Sequence, residues 1–213
     1  KEDNMKLLFA GDSLVAMRRD PENIRKVYHL GNGFVFYIAT QLSRLNPNFY
    51  EIVNRGNGGS TVLDVYAGIK QNVWSEQPDV ITFCVGVNDL YHRNAPGYEV
   101  DLDMEYDTYS LMVKETREKL PKAKIMLIEP FVSKGKITLG REDEYEKIKD
   151  YAAVIKRVAE ENGTAFLPLQ EEIDLLSEKY GYDKITFDGI HPTLFGSVII
   201  GEKWLKYFND KEF

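Results

Sequence analysis

Residues 6–14 read Lys6-Leu7-Leu8-Phe9-Ala10-Gly11-Asp12-Ser13-Leu14. An apolar run of strand length ends on a glycine and two polar residues. Such a run, continuous rather than alternating, suits a strand covered on both faces, as in a parallel sheet flanked by helices. Comparable runs recur at Tyr50–Asn54, Val80–Val85, Ile125–Ile128 and Ala165–Leu167. The single cysteine, Cys84, lies inside the third of these. It excludes an intrachain disulfide and reads as a small buried strand residue rather than a reactive thiol.

Between the runs lie segments of helical period. Phe34, Ile38, Leu42 and Leu45 share a face through Gly33–Leu45, and Val62, Val65, Ile69 and Val73 share another. Tyr145, Ile148, Ala152, Ile155 and Ala159 do so through Glu142–Glu161, with Asn162-Gly163 as a stop. Met104–Leu120 reads as a helix closed by Pro121. A last helix at about Leu194–Phe208 is expected to bury Val198, Trp204 or Leu205, and Phe208. Strand and helix alternating five times predict an α/β fold, a three-layer α/β/α sandwich around a five-stranded parallel sheet. No repeat, low-complexity tract or linker interrupts the chain, so 1–213 is expected to be one domain.

The 213 residues are 43% hydrophobic and 29% charged, the composition of an ordinary globular protein with a full core. The net charge is −7 and no long basic run occurs. That argues against nucleic acid as a partner, because such affinity rests on clustered Lys and Arg. No stretch approaches the ~20 apolar residues that span a bilayer. Lys1-Glu2-Asp3-Asn4 precede Met5 without signal-peptide character. Met5 as the natural start, with residues 1–4 as remnants, implies a cytoplasmic protein; a signal removed before Lys1 would imply a secreted one. In the first case the sequon Asn162-Gly163-Thr164 carries no meaning. A homo-oligomer stays open.

In open parallel sheets ligands bind beyond the carboxyl ends of the strands. The loops to search are therefore Gly11–Asn32, Arg55–Thr61, Gly86–Asp103 and Pro130–Arg141. Ser13, just past the first strand, is placed as a nucleophile would be, or equally as a helix N-cap. Asn54-Arg55-Gly56-Asn57-Gly58-Gly59-Ser60-Thr61 exposes backbone N–H groups that can bind a developing oxyanion. It is also a turn in which Ser60 or Thr61 caps a helix, and it lacks the Gly-Lys-Ser/Thr ending of a nucleotide loop. In Gly86-Val87-Asn88-Asp89 the Asn88 amide can aim at the same point, or stabilise an Asx turn. Asp89 is assigned to that turn, since a carboxylate would repel an oxyanion. Asp188-Gly189-Ile190-His191-Pro192 supplies an imidazole base and, three residues before it, a carboxylate to orient it. His29 and His92 have no carboxylate at such spacing and read as surface or rim residues. Each signal is weak alone; their joint occurrence in order is not.

On these residues the chain resembles the SGNH (GDSL) hydrolase superfamily. Its four blocks appear as Gly11-Asp12-Ser13-Leu14, the glycine loop ending at Gly59, Gly86-Val87-Asn88-Asp89 and Asp188-Gly189-Ile190-His191-Pro192, spanning nearly the whole chain. The resemblance implies a flavodoxin-like α/β/α fold without metal or organic cofactor. It implies Ser13 as nucleophile, His191 as base and then acid, and Asp188 as its orienting carboxylate. An oxyanion hole would be made by the N–H groups of Ser13 and Gly59 and the Asn88 amide. Leu30–Phe34, Val53–Gly56, Gly86–Tyr91 and Glu129-Pro130-Phe131 resemble the compact bacterial acetylxylan esterases of this superfamily. That implies a serine esterase for short, acetyl esters of xylo-oligosaccharides, with Tyr91, Phe131 and Phe187 as a sugar-stacking rim or as aromatics closing the core edge. Relatives often carry Trp where Tyr91 stands. No lid-like apolar insertion is evident, which favours short acyl groups. The same residues would serve an acyl-CoA thioesterase or an acyltransferase, and a non-catalytic carbohydrate-binding protein is the remote alternative.

Overall fold

The computed structural model describes residues 4–22, 27–90 and 100–210, the side chain of residue 144 excepted. Five strands, β1 (Met5–Gly11), β2 (Tyr50–Gly56), β3 (Val80–Cys84), β4 (Lys124–Ile128) and β5 (Ala165–Leu167), form one sheet. Their order is β2-β1-β3-β4-β5 and every pair is parallel. The helices are α1 (Ser13–Ala16), α2 (Phe34–Leu45), α3 (Val62–Ala67), α4 (Ile69–Asn72), α5 (Val87–Leu90) and α6 (Leu102–Lys119). After them come α7 (Glu142–Glu146), α8 (Ile148–Asn162), α9 (Gln170–Tyr180), α10 (Tyr182–Ile185) and α11 (Leu194–Asn209). This is the flavodoxin-like strand order expected from the sequence. The chain reverses its direction of winding between β1 and β3, so the carboxyl ends of those two strands flank a crevice.

The sheet is apolar on both faces because each strand serves two cores. Leu7 and Phe9 of β1 pack with Phe34, Ile38 and Leu42 of α2 and with Trp204 of α11. Leu8 and Ala10 point the other way, toward Val62 of α3, Tyr109 and Met112 of α6, and Ile155 and Val158 of α8. Period-two alternation thus divides one continuous apolar run between two helical layers. Trp204 is fully buried, lies 4.9 Å from the Phe208 ring at an interplanar angle of 15°, and donates Nε1–H to Thr82 Oγ1 at 3.0 Å. Its one polar atom is therefore satisfied inside the core.

Several elements differ from expectation for local reasons. The face shared by Val62, Ile69 and Val73 is buried, but the helix breaks at Gly68, which caps both α3 and α4. Glu142–Glu161 is divided at Lys147, which sits between α7 and α8; α8 does end on Gly163, at φ +56°. In α11 the buried stripe is Gly196, Ser197, Ile200, Gly201 and Trp204, while Val198 and Phe208 are half-buried. Small residues bring α11 against α2: a Cβ on Gly201 would come 2.5 Å from a Tyr37 ring carbon. Helices α9 and α10 were not anticipated. The buried positions of α9 are only Ile173 and Ser177, too few to leave a periodic signal. Among the described residues no helix is long and apolar enough to cross a membrane.

Candidate active site

β1 delivers the chain to the crevice at Gly11, and α1 starts at once. Its cap is Asp12, whose Oδ1 accepts from Leu14 N at 2.8 Å, so Ser13 is not spent on capping and keeps its hydroxyl free. Buried Asn54, near the end of β2, fixes α1 from below. It donates Nδ2 to Val15 O at 2.7 Å and to Leu30 O at 2.9 Å, and Oδ1 accepts from Gly56 N at 2.8 Å. Gly56 must be small, since a Cβ there would lie 2.3 Å from Ala16 N.

The Asp188–His191 turn faces Ser13 from the far end of the chain. His191 Nδ1 lies 2.7 Å from Asp188 Oδ2, and His191 Nε2 lies 2.9 Å from Ser13 Oγ. Asp188 Oδ1 accepts from the backbone N–H of Ile190 at 3.0 Å and of His191 at 2.8 Å. Partial burial opposes ionisation of Asp188, but the His191 ring and those two N–H groups hold its carboxyl below the usual aspartate range. An ionised Asp188 can only accept, so it selects the tautomer with hydrogen on Nδ1 and leaves the Nε2 lone pair for the Ser13 hydroxyl.

Residues 130–141 supply no group to this chain of bonds; they buttress it. Ser133 N donates to Gly189 O at 2.7 Å and Ile137 N to Asp188 O at 2.8 Å. Gly189 is held at φ +103°, and a Cβ there would meet Thr138 Oγ1 at 2.6 Å. Only glycine fits that turn.

The glycine loop lies beside the nucleophile: a Cβ on Gly58 would be 3.9 Å from Ser13 Cβ. Asn57 N donates to Gly11 O at 2.9 Å, Asn57 Nδ2 to Ser60 Oγ at 3.1 Å, and Thr61 caps α3 in a reciprocal box with Asp64. Gly59 adopts φ +83° with open space around it. Among the described residues the N–H groups of Ser13 and Gly59 have no protein acceptor. Asn88 donates Nδ2 to Ser60 O at 3.0 Å, which ties α5 to the glycine loop and uses one of its two amide hydrogens.

Ser13, Gly58, Asp188 and His191 border a cleft of about 640 Å³. Phe187 forms part of its wall, 61% exposed, its ring 5.5 Å from the His191 ring and within 14° of parallel. Phe131 does not reach it. That side chain is fully buried in the core and cannot be part of a rim. Tyr91 and His92 lie outside the described residues, and His29 is half-buried with Nε2 3.2 Å from Ile52 O. Arg18, Arg19, Asn57 and Leu194 also line the cleft and were not singled out in the sequence. Met17 and Arg18 take left-handed backbone, at φ 31° and 59°, where neither residue type announces it.

Residues 9–198 match the model of the GDSL-like Lipase/Acylhydrolase family. The chain belongs to that family. It is a carboxylic ester hydrolase. An acetylxylan esterase of Geobacillus stearothermophilus is 28% identical over 206 residues, covering 94% of this chain and 92% of that protein. A solved structure of an acetyl xylan esterase from the same organism, with one tryptophan replaced by isoleucine, superposes with a TM-score of 0.84 at 27% identity, covering 97% and 96% of the two chains. A protein of Parabacteroides merdae described as a GDSL-like lipase superposes with a TM-score of 0.92 at 28% identity, covering 99% and 98%. Two further structures are of catalytic mutants of the Geobacillus esterase, one with a histidine and one with a serine replaced by alanine.

Beneath the site this acylhydrolase holds three more acids out of water. Asp12, Asp89 and Glu105 are all fully buried. Asp89 does not stabilise an Asx turn. Its Oδ1 accepts from Val62 N at 2.8 Å, pinning the start of α3 from 27 residues away. Asp89 Oδ2 and both Glu105 oxygens have no conventional donor. Two carboxyls so placed share one proton: burial and the neighbouring Asp89 charge push Glu105 strongly up, so Glu105 is the neutral acid that donates to Asp89. Burial raises Asp12 to about 7, its hydrogen bond from Leu14 opposing. Tyr109, donating to Val85 O at 2.7 Å, closes this pocket from α6.

Proposed function

We propose that the protein is a serine esterase that removes short acyl groups, acetyl above all, from carbohydrate esters such as acetylated xylo-oligosaccharides. The observation that carries this reading is the continuous hydrogen-bond chain Asp188–His191–Ser13, with distances of 2.7 and 2.9 Å, opening on a solvent-connected cleft. Its likeness to an acetylxylan esterase over nearly the full length supports the substrate class, and the serine and histidine replaced in that relative's catalytic mutants support a serine nucleophile and a histidine base.

In this mechanism Ser13 Oγ attacks the ester carbonyl carbon while His191 Nε2 takes the hydroxyl proton. Asp188 stabilises the imidazolium that results. The tetrahedral oxyanion is met by the N–H groups of Ser13 and Gly59 and by the second Asn88 amide hydrogen. The bond from the carbonyl carbon to the alcohol oxygen breaks, and the alcohol leaves with the proton from Nε2. Water then attacks the acyl-enzyme, gives its proton to Nε2, and the acid departs as Ser13 Oγ recovers that proton. Phe187 offers a flat apolar face next to His191, suited to a sugar ring on the leaving side.

A substrate panel tests this. Acetylated xylo-oligosaccharides, aryl acetates, longer acyl esters and acetyl-CoA are compared, with Ser13→Ala as control. Turnover highest on acetyl sugars and aryl acetates and lost in Ser13→Ala is expected. Acyl-CoA as the best substrate would replace the reading with a thioesterase.

A further inference from the structure

A second cleft, of about 480 Å³, adjoins the first, and Arg19, Asn57 and Gly58 form a wall common to both. Arg55 and Gly59 line the second only. Arg19 donates Nε to Gly56 O, while its Nη1 is buried with no partner. No carboxylate pairs with Arg19 among the described residues. Arg55 gives Nη2 to Glu76, and its Nε is likewise buried and unpartnered. Glu76 is shared with Lys6, and Asp64, the acid lining this cleft, is occupied by Thr61 N and Oγ1 at 2.9 and 2.8 Å.

Two guanidinium groups thus line one cleft in a chain of net charge −7; Glu76 pairs with Arg55 and Lys6, and Arg19 has no carboxylate partner among the described residues. Burial and then the charge of Arg55 weaken the hold of Arg19 on its proton. The guanidinium N–H groups that Arg19 and Arg55 present to the cleft would donate to a bound oxyanion, which would also relieve the repulsion between them.

We propose that this second cleft is an oxyanion-binding subsite that takes a carboxylate carried by the alcohol part of the ester, as on a uronic acid. Placed against Arg19 and Arg55, that anion holds the substrate with its acyl group across the Asn57–Gly58 wall, at Ser13. The forked donors suit planar carboxylate. The substrate part of this proposal rests on the esterase reading above; anion binding itself does not.

Two measurements on the whole protein test it. Inorganic phosphate, at ionic strength matched with chloride, should raise the thermal midpoint of the wild type. Arg55→Lys, which keeps a charge for Glu76 but lacks the fork, should lose most of that rise, and Arg19→Gln all of it. An acetylated uronic acid should be cleaved with kcat/KM about tenfold above the matching neutral acetylated sugar, and Arg55→Lys should bring that ratio close to one. Phosphate acting no better than chloride, or equally well in both variants, overturns the subsite. Phosphate binding with a wild-type ratio of one overturns the substrate assignment and leaves a site for a free anion. Phosphate binding without hydrolysis of either ester would refute the esterase reading alone.

Discussion

Asp188 bonds the His191 ring and Asp12 feels its charge, yet their carboxyls are in opposite states. Asp188 accepts three N–H donors, from the His191 ring, His191 N and Ile190 N, and is held ionised despite being half-buried. Asp12 accepts one, from Leu14 N, its Oδ2 has none, and it keeps its proton up to about pH 7. Donor count against burial decides which aspartate can stabilise an imidazolium. The pair Asp89 and Glu105 extends the contrast, since there a neutral acid takes the place of the missing donor.

The comparison breaks most visibly at Asp188. In Asp188→Asn the amide would favour the wrong imidazole tautomer, and kcat should fall on the order of 10⁴-fold with little loss of stability. Asp12→Asn should leave kcat within about tenfold, as measured by steady-state hydrolysis of an aryl acetate. Equal losses in the two variants would end the distinction drawn between them. Asn88→Ala, which removes one oxyanion donor, should cost about 10²–10³ in kcat.

Stability provides the next test. A buried acid whose native pKa is raised contributes stability below its unfolded value, and that contribution is lost as pH rises toward the native pKa. For Asp12 the window runs from the ordinary aspartate value of 3.8 to about 7. Denaturant unfolding of Asp12→Asn should therefore improve relative to wild type by roughly 2–3 kcal/mol between pH 5 and pH 8. A difference that does not change with pH would contradict an uncharged Asp12 at pH 5. Asp188 runs the other way: its depressed pKa contributes stability above the ordinary aspartate range, lost as pH falls through the native value.

The smallest effect is expected at Glu105. Glu105→Gln keeps a neutral donor toward Asp89 and should change stability by less than about 1 kcal/mol, whereas Glu105→Leu strands Asp89 Oδ2 and should cost about 1–3 kcal/mol. If the two variants are equally destabilised, Glu105 is not the donor.

Most of the site was legible because three of its four blocks end strands, where period and polarity change together. β1 into Ser13 and the glycine loop after β2 needed only the apolar runs to be placed. The Asp188–His191 pair, in the loop before α11, was legible from its spacing only together with those three blocks. Phe131 was left between rim and core because an aromatic in a loop sequence reads the same whether it faces solvent or core; it is fully buried, which rules out the rim. Arg19, Asp89 and Glu105 escaped for a different reason. Their significance lies in what they fail to pair with, which no local pattern encodes. In α11 the buried face follows Gly196 and Gly201, because close approach to Ile185 of α10 and to Tyr37 of α2 decides it rather than the largest side chains.

The central claim, that Ser13 is the nucleophile of an acyl-transfer reaction, is tested most directly by covalent labelling. A fluorophosphonate should add one adduct mass to the intact protein, located by peptide mapping on Ser13 and absent from Ser13→Ala. An adduct on another residue, or equal labelling of the Ser13→Ala protein, would contradict it.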